Sequence, residues 1–197
     1  MIQNKIIGLT GCSGSGKTSV SNICKKLGAY IVDADALNHA NMLPGGAAYS
    51  DILQEFGSSI LDCSGLINRR ALGEIVFSDK EKMKRLEAIT HSHVVRQTHA
   101  LVDAVQNEGS HAFIVIDAPL LIEAGLHKLA DEVWVVVADY EKRLARVCSR
   151  DELSRTQAEK RFSAGTSSCI LEEHANFIIE NNNDISILEN TILRILT

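Results

Sequence analysis

The sequence predicts an α/β fold built on a parallel sheet, and three features carry that prediction. Short apolar runs alternate with longer stretches of helical period. Two of the runs, Phe113-Ile114-Val115-Ile116 and Val133-Trp134-Val135-Val136-Val137, are apolar on both faces, as strands buried between two helix layers must be. The chain has 197 residues, 45% apolar and 23% charged, the balance of one globular unit with an insertion. At that length a chain buries roughly 70% of its unfolded surface, so the core needs no staples.

Taken in order, the strands fall at 6–10, 30–33, 113–117 and 133–138, with a weaker one at 177–179. A helix over 17–27 follows the first strand. Between the second and third strands, about 36–109, helical patterns at 47–56, 69–77 and 80–106 are separated by turn residues near Pro44-Gly45-Gly46 and at 62–65. So long a segment is a helical insertion beside the sheet, suited to a second substrate. A second insertion, about 140–173, is rich in Arg and Lys. The core is then 1–35, 110–139 and 174–197, within a single unit.

Charge and cysteine content narrow the function. A net charge of −5 argues against a general nucleic-acid binder. The five cysteines are scattered, with neither a Cys-x-x-Cys pair nor zinc-ligand spacing, as reduced cytosolic thiols are. The N-terminal residues lack a signal-peptide pattern. No apolar run approaches the roughly 20 residues that span a bilayer. The expectation is a cytoplasmic protein, a monomer or weak homo-oligomer, without membrane or nucleic-acid partners.

Gly11-Cys12-Ser13-Gly14-Ser15-Gly16-Lys17-Thr18 satisfies the P-loop pattern G-x-x-x-x-G-K-[ST] at every fixed position, with a strand before it and a helix after it. The glycines let the backbone turn successive N–H groups toward a phosphate, and the helix N-terminus favours negative charge. Lys17 then reaches the β- and γ-phosphates, and the Thr18 hydroxyl ligates Mg²⁺. Binding of ATP or GTP follows.

Asp33 and Asp35 close the second strand, at the sheet edge where open α/β folds place their active sites. A carboxylate there can take the proton of an acceptor hydroxyl. Alternatively, either can cap a helix beginning near Ala36. Asp117 ends the third strand after four apolar residues, like a Walker B acid that holds Mg²⁺ directly or through water. Arg143, Arg146 and Arg150 share one helical face, with Arg155 and Arg161 beyond. That face is either a lid that neutralises phosphate charge or a solvated, ion-paired surface. His91 and His93 on the long central helix have packing or surface roles by default.

Gly8-Leu9-Thr10 with the P-loop, then Leu27-Gly28 and Val32-Asp33-Ala34-Asp35, resembles the dephospho-coenzyme A kinase family. The resemblance continues through Phe56-Gly57, Ile60-Leu61, Gly65-Leu66-Ile67-Asn68-Arg69 and Leu72, and then Val76-Phe77, Leu86-Glu87-Ala88-Ile89 and His91. Asp117-Ala118-Pro119-Leu120-Leu121-Ile122-Glu123-Ala124-Gly125 is similar to that family's "D.PLLFE.G" signature, and Ala175 through Asn181 to its "AD.VI.N" ending.

The resemblance implies a P-loop NTPase three-layer sandwich with a five-stranded parallel sheet, a substrate-binding insertion and a lid. It implies ATP-dependent phosphorylation of the ribose 3′-hydroxyl of dephospho-coenzyme A. Asp33 would be the base, Lys17 and Arg143 would act on the transferring phosphate, and Gly11 through Thr18 with Arg150 would hold ATP. Asp35, Arg69, His91, Leu120 and Glu123 would line the acceptor, and Thr18 and Asp117 would hold Mg²⁺. Four positions depart from the pattern: Ser92 for proline, Lys142 for glutamine, the neighbourhood of Gly165, and Asn176 for aspartate. They bear on lid chemistry and turnover, not on nucleotide binding or the base. The competing readings are a P-loop kinase with another acceptor and a degenerate member that binds without turnover. A regulatory nucleotide switch is a third, disfavoured because Val137-Ala138-Asp139 replaces a guanine-reading string.

Overall fold

A computed structural model describes residues 5–163 and 168–197; the departure near Gly165 lies outside the described residues. The elements run β1 (Ile6–Gly11), α1 (Lys17–Lys26), β2 (Ala29–Asp33), α2 (Ala34–Asn41), α3 (Tyr49–Phe56), α4 (Arg69–Phe77) and α5 (Lys80–Glu108). They continue with β3 (Phe113–Asp117), β4 (Glu132–Val137), α6 (Tyr140–Asp151), α7 (Arg155–Ser163), α8 (Ser168–Glu173), β5 (Phe177–Glu180) and α9 (Ile185–Leu196). The strand order is β2-β3-β1-β4-β5 and the sheet is all parallel. Every strand runs the same way, so β1, β2 and β3 deliver Gly11, Asp33 and Asp117 to their carboxyl ends.

The chain divides into two compact units, residues 1–32 with 102–197, and residues 33–101. In the first, alternation decides which side chains meet which layer. Ile7 and Leu9, Phe113 and Val115, Trp134 and Val136, and Ile179 form one buried cluster with Val20, Ile23 and Cys24 of α1 and Leu188 and Ile192 of α9. The intervening residues Ile114, Ile116, Val133 and Val135 are buried as well, as expected of strands covered on both faces. Trp134 is fully buried and meets the ring of Phe177 edge-on at 6.3 Å. β5 lies at the edge of the sheet beside β4, and only Ile179 of its four residues is buried. That one-sided burial is why its apolar signal is weak.

In the second unit, Asp33 caps α2 by accepting the Ala36 N–H at 2.9 Å. Asn68 caps α4 through the N–H groups of Arg70 and Ala71. Ile52, Ile60, Leu72 and Val76 form its core, and the Tyr49 hydroxyl donates to the Gly65 carbonyl at 2.6 Å. His93 is buried with both ring nitrogens engaged: Arg96 donates to Nδ1 at 2.7 Å, so Nε2 carries the proton to Asp51 at 2.6 Å. His93 is therefore a packing residue of α5. Among the described residues, no helix is long and apolar enough to cross a membrane.

Candidate active site

The loop between β1 and α1 is shaped by residues distant in sequence. Gly14 and Gly16 have φ of 80° and 95°, which side chains rarely adopt, and a Cβ on Gly14 would lie 2.6 Å from the Arg143 carbonyl. Ser15 N–H bonds the Cys12 carbonyl at 3.0 Å, closing the turn. Gly16 caps the α1 N-terminus in a left-handed conformation, and among the described residues it makes no side-chain cap bond.

Cations and amides hold the loop from outside. Arg143 Nε donates to the Ser13 carbonyl at 3.0 Å, and its guanidinium stacks over the Phe162 ring at 4.6 Å. Arg146 donates to the carbonyls of Gly14 (3.2 Å), Ser15 (3.3 Å) and Asn181 (2.9 Å). Asn181 Nδ2 donates to the Ser15 carbonyl at 2.8 Å. The Thr10 hydroxyl donates to the Pro119 carbonyl at 3.1 Å, tying the end of β1 to the loop after β3. Lys17 forms an ion pair with Asp117, which brings the P-loop lysine against the acid that closes β3.

The arginines of this segment meet two kinds of partner. Arg143 and Arg146 turn to the phosphate loop. Arg150 instead pairs with its neighbour Asp151 through two bonds of 2.7 and 2.8 Å, and Arg161 joins the same carboxylate at 2.7 Å. Arg155 bonds Glu141 and Glu159. The Arg150 hydrogen bond holds the Asp151 carboxyl below its ordinary value, and Arg155 does the same to Glu141. Burial pushes the Cys12 thiol up, against the smaller pull of Arg143. Burial also raises Cys24 to about 12.

The remaining residues singled out in the sequence lie as follows. Thr18 is exposed in the first turn of α1. Leu120 is 47% exposed and Glu123 sits in the same turn, closed by the Ala124 N–H on the Leu120 carbonyl at 2.9 Å; Leu121 is the leucine that enters the core. In the second unit, Asp33 and Asp35 are exposed at the start of α2, Arg69 is exposed as the first residue of α4, and His91 is half-buried in α5. The cap thus falls to Asp33 rather than Asp35.

The departures retain local partners: Asn176 Oδ1 accepts the Val133 N–H at 2.8 Å, as an aspartate oxygen would. Lys142 donates to the Asn182 carbonyl at 2.6 Å, and the Ser92 hydroxyl to the Ile89 carbonyl at 2.8 Å.

Two residues that brace the loop had no individual role in the sequence reading. Arg146 carried a signal, three residues from Arg143 on the same face. Asn181 lies 166 residues from Ser15, and no local pattern connects them.

Among the described residues, no group of three or more His, Cys, Asp or Glu could cage a metal. Thr18 and Asp117 offer hard oxygen donors, the sparse protein share typical of Mg²⁺ carried with nucleotide phosphates.

Residues 5–186 match the dephospho-CoA kinase family model. A relative named dephospho-CoA kinase, from Geobacter sulfurreducens, is 44% identical over 95% of this chain and 94% of its own. A crystal structure of a Thermus thermophilus protein superposes with a TM-score of 0.82 at 29% identity, covering 98% of this chain and 97% of that one. Dephospho-CoA kinase from Campylobacter jejuni gives 0.70 at 27% identity, over 97% of this chain and 94% of its own. The chain belongs to the dephospho-CoA kinase family.

Proposed function

We propose that this chain transfers the γ-phosphoryl group of ATP to the ribose 3′-hydroxyl of dephospho-coenzyme A, forming coenzyme A and ADP. The observation that carries the proposal is family membership across residues 5–186, in a chain whose complete phosphate loop is braced by Arg143, Arg146 and Asn181.

In this reading, Gly11 through Thr18 cradle the ATP phosphates with backbone N–H groups. Lys17 exchanges Asp117 for phosphate oxygens and neutralises charge that builds up during transfer. Thr18 and Asp117 would hold Mg²⁺, which would supply positive charge to screen the phosphate oxygens. Asp33 Oδ1 is occupied by the Ala36 N–H, which leaves Oδ2 to take the acceptor proton. The 3′-oxygen bonds phosphorus as the bridge to ADP breaks, and the acceptor proton passes to Asp33. Arg143 offers positive charge beside the loop. Arg150 reaches ATP only by exchanging Asp151 for phosphate. Asp35, Arg69, His91, Leu120 and Glu123 line the acceptor. The net charge of −5 suits small-molecule substrates over nucleic acid. A cytoplasmic monomer or weak homo-oligomer completes the reading.

The test is product analysis. With ATP and Mg²⁺, dephospho-coenzyme A should gain one phosphoryl group by mass, and phosphorus NMR should place it on the ribose 3′ oxygen. A phosphate elsewhere, or an unmodified acceptor, contradicts the proposal.

A further inference from the structure

We propose that Asn181 is a positioning residue for ATP binding: its carboxamide holds the Ser15 carbonyl outside the phosphate loop and thereby aims the Gly16 N–H into it. The inference rests on reading Gly11 through Thr18 as the ATP-binding loop.

A trans peptide places its C=O and N–H on opposite sides, so each amide turned toward a phosphate turns a carbonyl into the protein. Ser15 is only 1% exposed, and its outward carbonyl needs a donor. Asn181 supplies one at 2.8 Å, shorter than the 3.3 Å bond from Arg146 to the same oxygen. The carboxamide orientation follows from the partners, because Oδ1 in that place would set two acceptors face to face.

Asn181 is itself fixed. It is 7% exposed, its N–H continues the β4–β5 ladder to the Val137 carbonyl at 2.9 Å, and its carbonyl accepts from Arg146 at 2.9 Å. The sheet thus sets where the donor stands. Gly16 completes the fit: its φ is 95°, and a Cβ there would run into the Asn181 carboxamide. Gly16 also opens α1 ahead of Lys17, so the Ser15–Gly16 peptide sets both an inward N–H and the start of the helix that carries the lysine. A neutral amide suits the position, because an aspartate there would set a negative charge against the same carbonyl and near the phosphates.

The test compares Asn181→Leu, close in size but unable to donate, with Asn181→Asp, which keeps the shape and removes the donor. ATP affinity is read by calorimetry without acceptor, KM for dephospho-coenzyme A by steady-state kinetics, and folding by circular dichroism and thermal melting. In both variants the Kd for ATP should rise about tenfold, the effect of one lost hydrogen bond to a buried carbonyl, while the acceptor KM stays within about twofold. A folded variant with wild-type ATP affinity overturns the inference. So does equal weakening of both substrates, or loss of fold in both variants, which would make Asn181 a structural residue. Failure of the wild-type protein to bind ATP would instead refute the loop reading on which the inference rests.

Discussion

Asp33→Asn separates two roles that one side chain combines. Oδ1 of Asp33 accepts the Ala36 N–H at 2.9 Å and caps α2, while the carboxylate is the proposed base. Asparagine caps a helix about as well as aspartate, so the substitution should leave stability within a few tenths of a kcal/mol. Asp33→Ala removes the cap too, at about 1 kcal/mol. For a chain of this size that corresponds to about 2–4 °C in melting temperature. Both variants lose the base, which should lower kcat by about a hundredfold or more with ATP affinity unchanged. The assay is initial-rate ADP release at saturating ATP and dephospho-coenzyme A, beside thermal melting of the three proteins. If Asp33→Asn retains kcat within a few-fold of wild type, Asp33 is not the base. If it melts as low as Asp33→Ala, the cap does not carry the stability assigned to it.

The other side chains make narrower claims. Lys17→Ala strands Asp117 without its ion-pair partner and removes the charge meant for the phosphates. It should weaken ATP binding and slow transfer by about a hundredfold or more, measured by calorimetry and single-turnover kinetics. Thiol labelling should follow burial. At pH 8 exposed Cys63 should react first, Cys12 slowly because burial raises its pKa, and Cys24, raised to about 12, only on unfolding. Peptide mapping after timed alkylation checks the order, and rapid labelling of Cys24 in the folded protein contradicts it.

Local chemistry accounts for what was legible in the sequence. β3 and β4 announced themselves because strands covered on both faces carry apolar runs on both. The phosphate loop was legible because its requirements are local: left-handed glycines at Gly14 and Gly16, and a lysine opening the helix. Asp117 was legible from its place at the end of an apolar strand, and the structure sets Lys17 against it.

Choices among equivalent neighbours were not legible. Asp33 and Asp35 both suited a cap, and only the backbone turn at Asp33, φ −84° and ψ 101°, selects one. Five arginines offered the same charge. The structure sends Arg143 and Arg146 to the loop, while Arg150 meets the adjacent Asp151. The bond from Asn181 to Ser15 was invisible, because that partner is set by strand order rather than by spacing. For Arg69 and His91 the acceptor role rests on resemblance, since exposed arginines and half-buried histidines are common on helices.

The most direct test of the central claim is acceptor-dependent ADP release by the purified protein with ATP and Mg²⁺. Dephospho-coenzyme A would be run beside its 3′-deoxy analogue, adenosine and a no-acceptor control. ADP formed with dephospho-coenzyme A and at background level with the other three is the predicted result. Equal ADP release with the 3′-deoxy analogue, or none with dephospho-coenzyme A from folded protein that binds ATP, would contradict it.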